Sequence, residues 1–186
     1  MKLYHAYPKL VNIVGTSHNG KINFMAVAWH TYLSFDPPLY GISIAPKRYT
    51  HKLLKECQEF NCNFLSYHNI KLSHGVGRTS GSEFDKVKAF GIPLKPGEKI
   101  NTPYIKDSYA VMECKVTKEI HTGDHVLIVG SIENIISSKE YFTEKELLNP
   151  QTVIPILYLG SNTYLKIEKC KIEEYPQEIN IDKWLR

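Results

Sequence analysis

From Leu10 to Thr16 the chain is rich in β-branched residues, and the run ends at His18-Asn19-Gly20-Lys21. Asn-Gly between two such runs is a strong hairpin signal, because both residues tolerate the positive φ of a tight turn. The returning arm extends from Ile22 to about Trp29. Asp36-Pro37-Pro38 interrupts any ladder, since proline lacks the backbone donor. Leu39 to Ala45 then reads as a third strand, mostly apolar and so buried on both faces or nearly so. Thr50 suits a helix N-cap for His51 to about Gln58, and Phe60 to Ser66 suits a short strand. Ser82 with Asp85 marks a helix over Glu83 to Phe90. Gly91 to Thr102, punctuated by Pro93 and Pro96-Gly97, is a loop.

Alternation is clearest in the second half. Ala110, Met112, Cys114 and Val116 share one face of a strand from Ser108 to His121. Gly123-Asp124 turns the chain, and His125 to Ile136 returns as an antiparallel partner. Thr143-Glu144-Lys145-Glu146 has the form of a capping box and predicts a short helix through Leu148. Ile154 to Leu159 is a strand, Gly160-Ser161-Asn162 a turn, and Tyr164 to Ile172 a further alternating segment. Many antiparallel strands with a few short helices predict a mainly β fold, a closed or split antiparallel β-barrel. We expect a single domain over 1–186, with residues 173–186 as a polar C-terminal arm.

Composition narrows the class. The 186 residues are 42% hydrophobic and 23% charged, as in ordinary globular chains. No run is apolar enough for a membrane span, and the first residues lack a signal-peptide core, so a cytoplasmic location is expected. The net charge of +4 is spread along the chain without a concentrated basic patch, which argues against nucleic acid as a partner. Four cysteines, Cys57, Cys62, Cys114 and Cys170, form no Cys-x-x-Cys pair. The histidines lack metal-ligand spacing, so no metal site is expected. Cys57 and Cys62 are near enough in sequence for a disulfide or for two buried thiols.

The candidate chemistry lies between Asn23 and Thr50. Ala26 and Ala28 share a strand face and leave an accessible floor for a flat ring. They also suit packing against a helix. Asn23 and the Ser43 hydroxyl can meet the polar edge of such a ring. Arg48 and Thr50 stand where a helix opens, and a helix N-terminus attracts anions. A guanidinium suits phosphate, although an ordinary cap with a solvated arginine has the same sequence.

These elements, in order, resemble the flavin reductase-like, FMN-binding split-barrel family. The resemblance is carried by Pro8 to Thr16, Gly20, Asn23, Met25-Ala26-Val27-Ala28-Trp29, Asp36-Pro37-Pro38 and Arg48-x-Thr50. It continues with Phe60-Asn61-Cys62-Asn63, Ser80-Gly81 with Asp85-Lys86, Glu113-Cys114-Lys115 and Gly123-Asp124-His125, and it covers residues 8 to 136. It implies a homodimer binding FMN near the subunit interface, with FAD the less suited flavin. By position, Asn23, Met25, Ala26 and Trp29 flank the ring. Ser43, Ala45, Arg48 and Thr50 serve the ribityl chain and phosphate. Asn63, Ser80, Gly81 and Lys86 are further cofactor-binding candidates.

Gly123-Asp124-His125 reads alone as a hairpin turn with an exposed histidine. By analogy with flavin reductases of this kind, His125 contacts the nicotinamide of NAD(P)H, which gives a hydride to the flavin. Such a step needs two flat rings oriented and water excluded, so no acid–base dyad is expected. No G-x-G-x-x-G or Walker loop is present, which excludes a nucleotide-binding domain of the Rossmann type. The implied activity is an NAD(P)H:flavin oxidoreductase delivering electrons to free flavin, a ferric chelate or a partner protein. The alternative is a flavoredoxin-type electron carrier without NAD(P)H turnover.

Overall fold

The structure is a computed structural model that describes residues 4–170 and 172–173. Strands β1 (Lys9–Leu10), β2 (Asn12–His18), β3 (Lys21–Val27), β4 (His30–Phe35) and β5 (Pro38–Ile44) precede helix α1 (Tyr49–Cys57). β6 (Glu59–Leu65), α2 (Ile70–Arg78), α3 (Lys86–Phe90), β7 (Leu94–Lys95) and β8 (Tyr104–Ile105) follow. Then come the two long strands β9 (Ser108–Thr122) and β10 (His125–Ser137), and finally β11 (Leu157–Gly160) and β12 (Thr163–Leu165).

Seven strands form one antiparallel sheet in the order β3-β2-β6-β9-β10-β5-β4. Its two edges, β3 and β4, are consecutive in sequence yet share no ladder. The Ser43 amide donates to Trp29 O at 2.8 Å and ties the two ends together. The barrel is therefore split, and the free edge of β3 faces the gap. A second sheet, β1-β11-β12, stands beside it.

Two cores result from alternation along the strands. Val14, Ile42, Ile44, Phe60, Val126 and Ile128 fill the barrel. Ile13, Phe24, Leu65, Val76 and Ile105 pack the outer face of β2 and β3 beneath α2 and the β7–β8 hairpin. Phe24 is fully buried, and burying such a side chain is worth about 1.5–3 kcal/mol. Glu113, also fully buried, accepts from the Glu98 and Lys99 amides at 2.8 and 2.9 Å. It thereby pins the 96–99 turn to β9.

Several sequence-based expectations need correction. His30–Phe35 forms an unanticipated edge strand, and Pro38 pairs with Phe35, so the proline pair turns a hairpin. The N-cap of α1 is Arg48 and not Thr50. α3 starts at Lys86, because Asp85 rather than Ser82 caps it through the Lys88 amide at 3.1 Å. The Thr143 box makes a tight turn, not a helix: Thr143 Oγ1 accepts from the Leu147 amide at 3.2 Å, and Glu146 has φ 60°. The strand expected from Tyr164 to Ile172 is only Thr163–Leu165. Cys57 and Cys62 are free thiols. Of the proposed arm, residues 174–186, including Trp184, lie outside the described residues.

Candidate functional site

The free edge of β3 opens onto a cleft of about 260 Å³. Met25, Ala26, Val27, Ala28 and Trp29 line it consecutively, as expected where an unpaired strand edge offers backbone amides and carbonyls. Ser43 and Ala45 supply the opposite lip, where β5 runs toward α1. Gly77 closes the floor: a Cβ there would sit 3.0 Å from the Ala26 Cβ. Tyr7, Tyr158, Tyr164 and His74 make an aromatic wall from outside the main sheet. His74 Nδ1 and the Tyr164 hydroxyl are 3.2 Å apart.

A second pocket of about 190 Å³ adjoins the cleft and shares Met25, Arg48 and Gly77 with it. It is lined by Asn23, Lys47, Tyr49, Thr50, Thr79, Ser80, Gly81 and Lys86. The N-terminus of α1 faces it, and its free amides favour an anion. The Lys86 ammonium is buried among these groups and donates to Phe24 O and Val76 O, each at 2.8 Å. Burial, reinforced by the Arg48 guanidinium, lowers its pKa to about 8. No carboxylate pairs with it among the described residues. Asn23 donates to Thr50 Oγ1 at 2.8 Å, which leaves its own carbonyl oxygen buried without a partner. A Cβ at Gly81 would collide with that oxygen. Three cationic side chains, Lys47, Arg48 and Lys86, with a helix terminus and small residues give this pocket the character of an anion site.

The rim of the cleft carries Trp29 and His125. Their rings lie 4.9 Å apart at 44°. His125 Nδ1 is 2.7 Å from Asp124 Oδ1, and this bond holds the Asp124 carboxyl below its usual range.

Of the residues singled out in the sequence, Asn23, Met25, Ala26, Trp29, Ser43, Ala45, Arg48, Thr50, Ser80, Gly81, Lys86 and His125 all line one pocket or the other. Asn63 does not. It is fully buried, with its amide donating to Ile13 O at 2.8 Å and its oxygen accepting from the Ile105 amide at 2.8 Å. Its role is to join β2, β6 and β8. His30 also points away from the cleft, bridging the Tyr40 hydroxyl and Leu10 O at 2.5 and 2.8 Å. Tyr7, His74, Gly77, Arg78, Tyr158 and Tyr164 were not foreseen. Only the glycines of the 70–78 segment, unusual inside a helix, hinted at a close approach.

The chain matches the flavin reductase like domain over residues 4–163. It is 38% identical over 136 residues to an uncharacterized protein of Pyrococcus abyssi, covering 73% of this chain and 78% of that one. It is 24% identical over 148 residues to an NADH:FMN oxidoreductase of Rhodococcus qingshengii, covering 80% and 70%. Among solved structures, an FMN-binding protein from Thermus thermophilus with bound 1-cyclohex-2-enone superposes with a TM-score of 0.85. That structure is 32% identical and covers 93% of this chain and 94% of its own. The split barrel, the cleft along its open edge and the match over most of the chain agree: this protein belongs to the flavin reductase like domain family, whose chemistry is flavin-dependent electron transfer.

Proposed function

We propose that the cleft and the adjoining pocket hold FMN and that the protein is an NAD(P)H-dependent flavin reductase. The buried Lys86 ammonium carries this reading. A buried charge without a counter-ion is costly, and a phosphate beside Lys86 and Arg48 supplies one. Asn23, Thr50 and Ser80 add polar contacts, and a terminal monophosphate suits this pocket better than a pyrophosphate, which favours FMN over FAD. The flat floor of Ala26, Ala28 and Gly77 takes the ring, with the edge of β3 and the Ser43 hydroxyl at its polar side. Bound flavin supplies the two-electron redox centre. The protein binds and orients two planar molecules and keeps water out.

An NADH donor is supported by the name of the Rhodococcus relative and by His125 at the rim. The acceptor is free flavin, a ferric chelate or a partner protein. We further propose a homodimer. Phe35 is 91% exposed, and with Tyr32, Ile132 and Ile135 it borders an apolar groove of about 420 Å³ suited to a second copy. No described helix is long and apolar enough to cross a membrane, and a cytoplasmic site would supply NAD(P)H.

The test is anaerobic addition of NADH or NADPH to FMN-loaded protein. Bleaching of the flavin band near ~450 nm within seconds is expected. A flavin that neither nucleotide bleaches refutes the reductase and leaves an electron carrier fed by a protein.

A further inference from the structure

The outer wall of the cleft has no part in holding the flavin ring or its phosphate. Tyr7, Tyr158, Tyr164 and His74 line it, and their rings form a continuous chain. Tyr7 meets Tyr158 at 6.0 Å and 67°, Tyr158 meets Tyr164 at 5.1 Å and 51°, and Tyr164 meets His74 at 5.9 Å and 76°. Tilted and edge-on contacts of this kind are favourable between aromatic rings, so each ring braces the next and the wall is a preformed aromatic face.

Arg78 belongs to the same wall. It follows His74 by four residues on α2, one turn further along the same helix face, and both residues line the cleft. His74 Nδ1 lies 3.2 Å from the Tyr164 hydroxyl. Burial raises the pKa of that hydroxyl, Tyr158 adds to the rise, and the Arg78 charge opposes it. The guanidinium is therefore near enough to act on Tyr164. Among the described residues Arg78 has no ion pair, and its side chain makes no hydrogen bond. Gly77 lies on the floor against Ala26, whereas Arg78 is exposed at the mouth. Arg78 does not line the phosphate pocket. The cleft thus carries a second cationic point, set beside aromatic rings and not beside a helix N-terminus.

An unpaired guanidinium next to an aromatic face is complementary to a planar ring that bears a carboxylate. The ring packs on the tyrosines, and the carboxylate takes two parallel N–H···O bonds from the guanidinium. We infer that the cleft admits an arenecarboxylate as its second ligand, with the ring between the flavin and the Tyr158–Tyr164 wall and the carboxylate on Arg78. The inference rests on the FMN reading and deepens it by naming the chemical class bound beside the flavin.

The experiment titrates FMN-saturated, oxidised protein without any nicotinamide nucleotide and follows the flavin absorption band, which responds to a ring placed beside it. Benzoate is compared with benzamide, which has the same shape without the charge, and with cyclohexanecarboxylate, which has the charge without the flat ring. Wild type is expected to bind benzoate about 10-fold more tightly than either. Arg78→Gln should erase the advantage over benzamide. Arg78→Lys should restore only part of it, because an ammonium lacks the planar fork. Tyr164→Leu should erase the advantage over cyclohexanecarboxylate. A circular dichroism melt checks that each variant is folded.

Equal affinities for benzoate and benzamide in the wild type, or an unchanged benzoate titration in Arg78→Gln, overturn the inference. Steady-state kinetics with NADH and NADPH are the second arm. A KM for either nucleotide that rises in Arg78→Gln while benzoate binds as in the wild type would assign the guanidinium to a dinucleotide phosphate and refute the arenecarboxylate. The flavin absorbance of the starting samples separates the two readings. A wild type that takes up no FMN refutes the flavin site, whereas full loading without preference for benzoate refutes only the inference.

Discussion

Lys86→Met keeps an unbranched stem of similar length and removes the charge. In the unfolded chain this ammonium has the ordinary value of 10.5, and in the folded protein it falls to about 8. That gap corresponds to about 3 kcal/mol. Because the folded value is the lower one, the buried charge opposes folding at every pH below about 8, and the penalty fades as pH rises from about 8 to 10.5. A phosphate reverses the balance by favouring the ammonium. FMN binding should therefore need Lys86 charged. Affinity should be level from neutral pH to about 8 and then fall by up to tenfold per pH unit. Riboflavin, which lacks the phosphate, should show no such fall. In Lys86→Met, FMN should bind about 1.5–3 kcal/mol more weakly at neutral pH, or roughly 10- to 150-fold, and its pH profile should flatten. Quenching of flavin fluorescence on binding gives both curves, and a circular dichroism melt checks that the variant is folded. Parallel profiles for FMN and riboflavin in the wild type would refute the phosphate site.

Three other outcomes are expected. Arg48→Ala should weaken FMN by roughly 10- to 150-fold and leave riboflavin nearly unchanged, and an equal loss for both ligands would remove Arg48 from the phosphate. His125→Ala should raise the KM for NAD(P)H while FMN affinity stays constant in a flavin titration; unchanged kinetics would return it to the status of a turn residue. Glu113→Leu strands the Glu98 and Lys99 backbone amides and removes one of the two acceptors of the Asn134 side-chain amide, which keeps the Glu98 carboxylate at 3.0 Å. Urea denaturation should show a loss of about 2–4 kcal/mol, with flavin affinity per folded molecule unaltered.

The barrel was legible because β2, β3, β9 and β10 announce themselves locally, through Asn19-Gly20, Gly123-Asp124 and strict alternation. β4 was hidden because it is an edge strand whose aromatic residues are largely exposed, so no buried face repeats every second residue. α2 contains Gly75 and Gly77 and has little propensity of its own. It forms because it can lie close against Ala26 and bury Val76, and tertiary packing overrides local preference. The Thr143 box failed for the opposite reason: its local signal is strong, but the antiparallel Phe142–Leu148 bridge holds the segment as a closed turn.

The site divided in the same way. Asn23 to Thr50 is contiguous, so its chemistry could be read in one pass. Asn63 fits the family motif by position, but the motif does not reveal that its amide is consumed by three strands. The β11–β12 hairpin that carries Tyr158 and Tyr164 was announced by the Gly160-Ser161-Asn162 turn, but the wall reaches Tyr7 only through the pairing of β1 with β11, segments about 150 residues apart, and no local pattern announces that contact.

A crystal structure of the FMN-loaded protein is the decisive measurement. Phosphate oxygens are expected within about 3 Å of the Lys86 and Arg48 nitrogens, with the ring lying along Met25 to Trp29. A phosphate directed to solvent, or a flavin bound away from the free edge of β3, would contradict the FMN site.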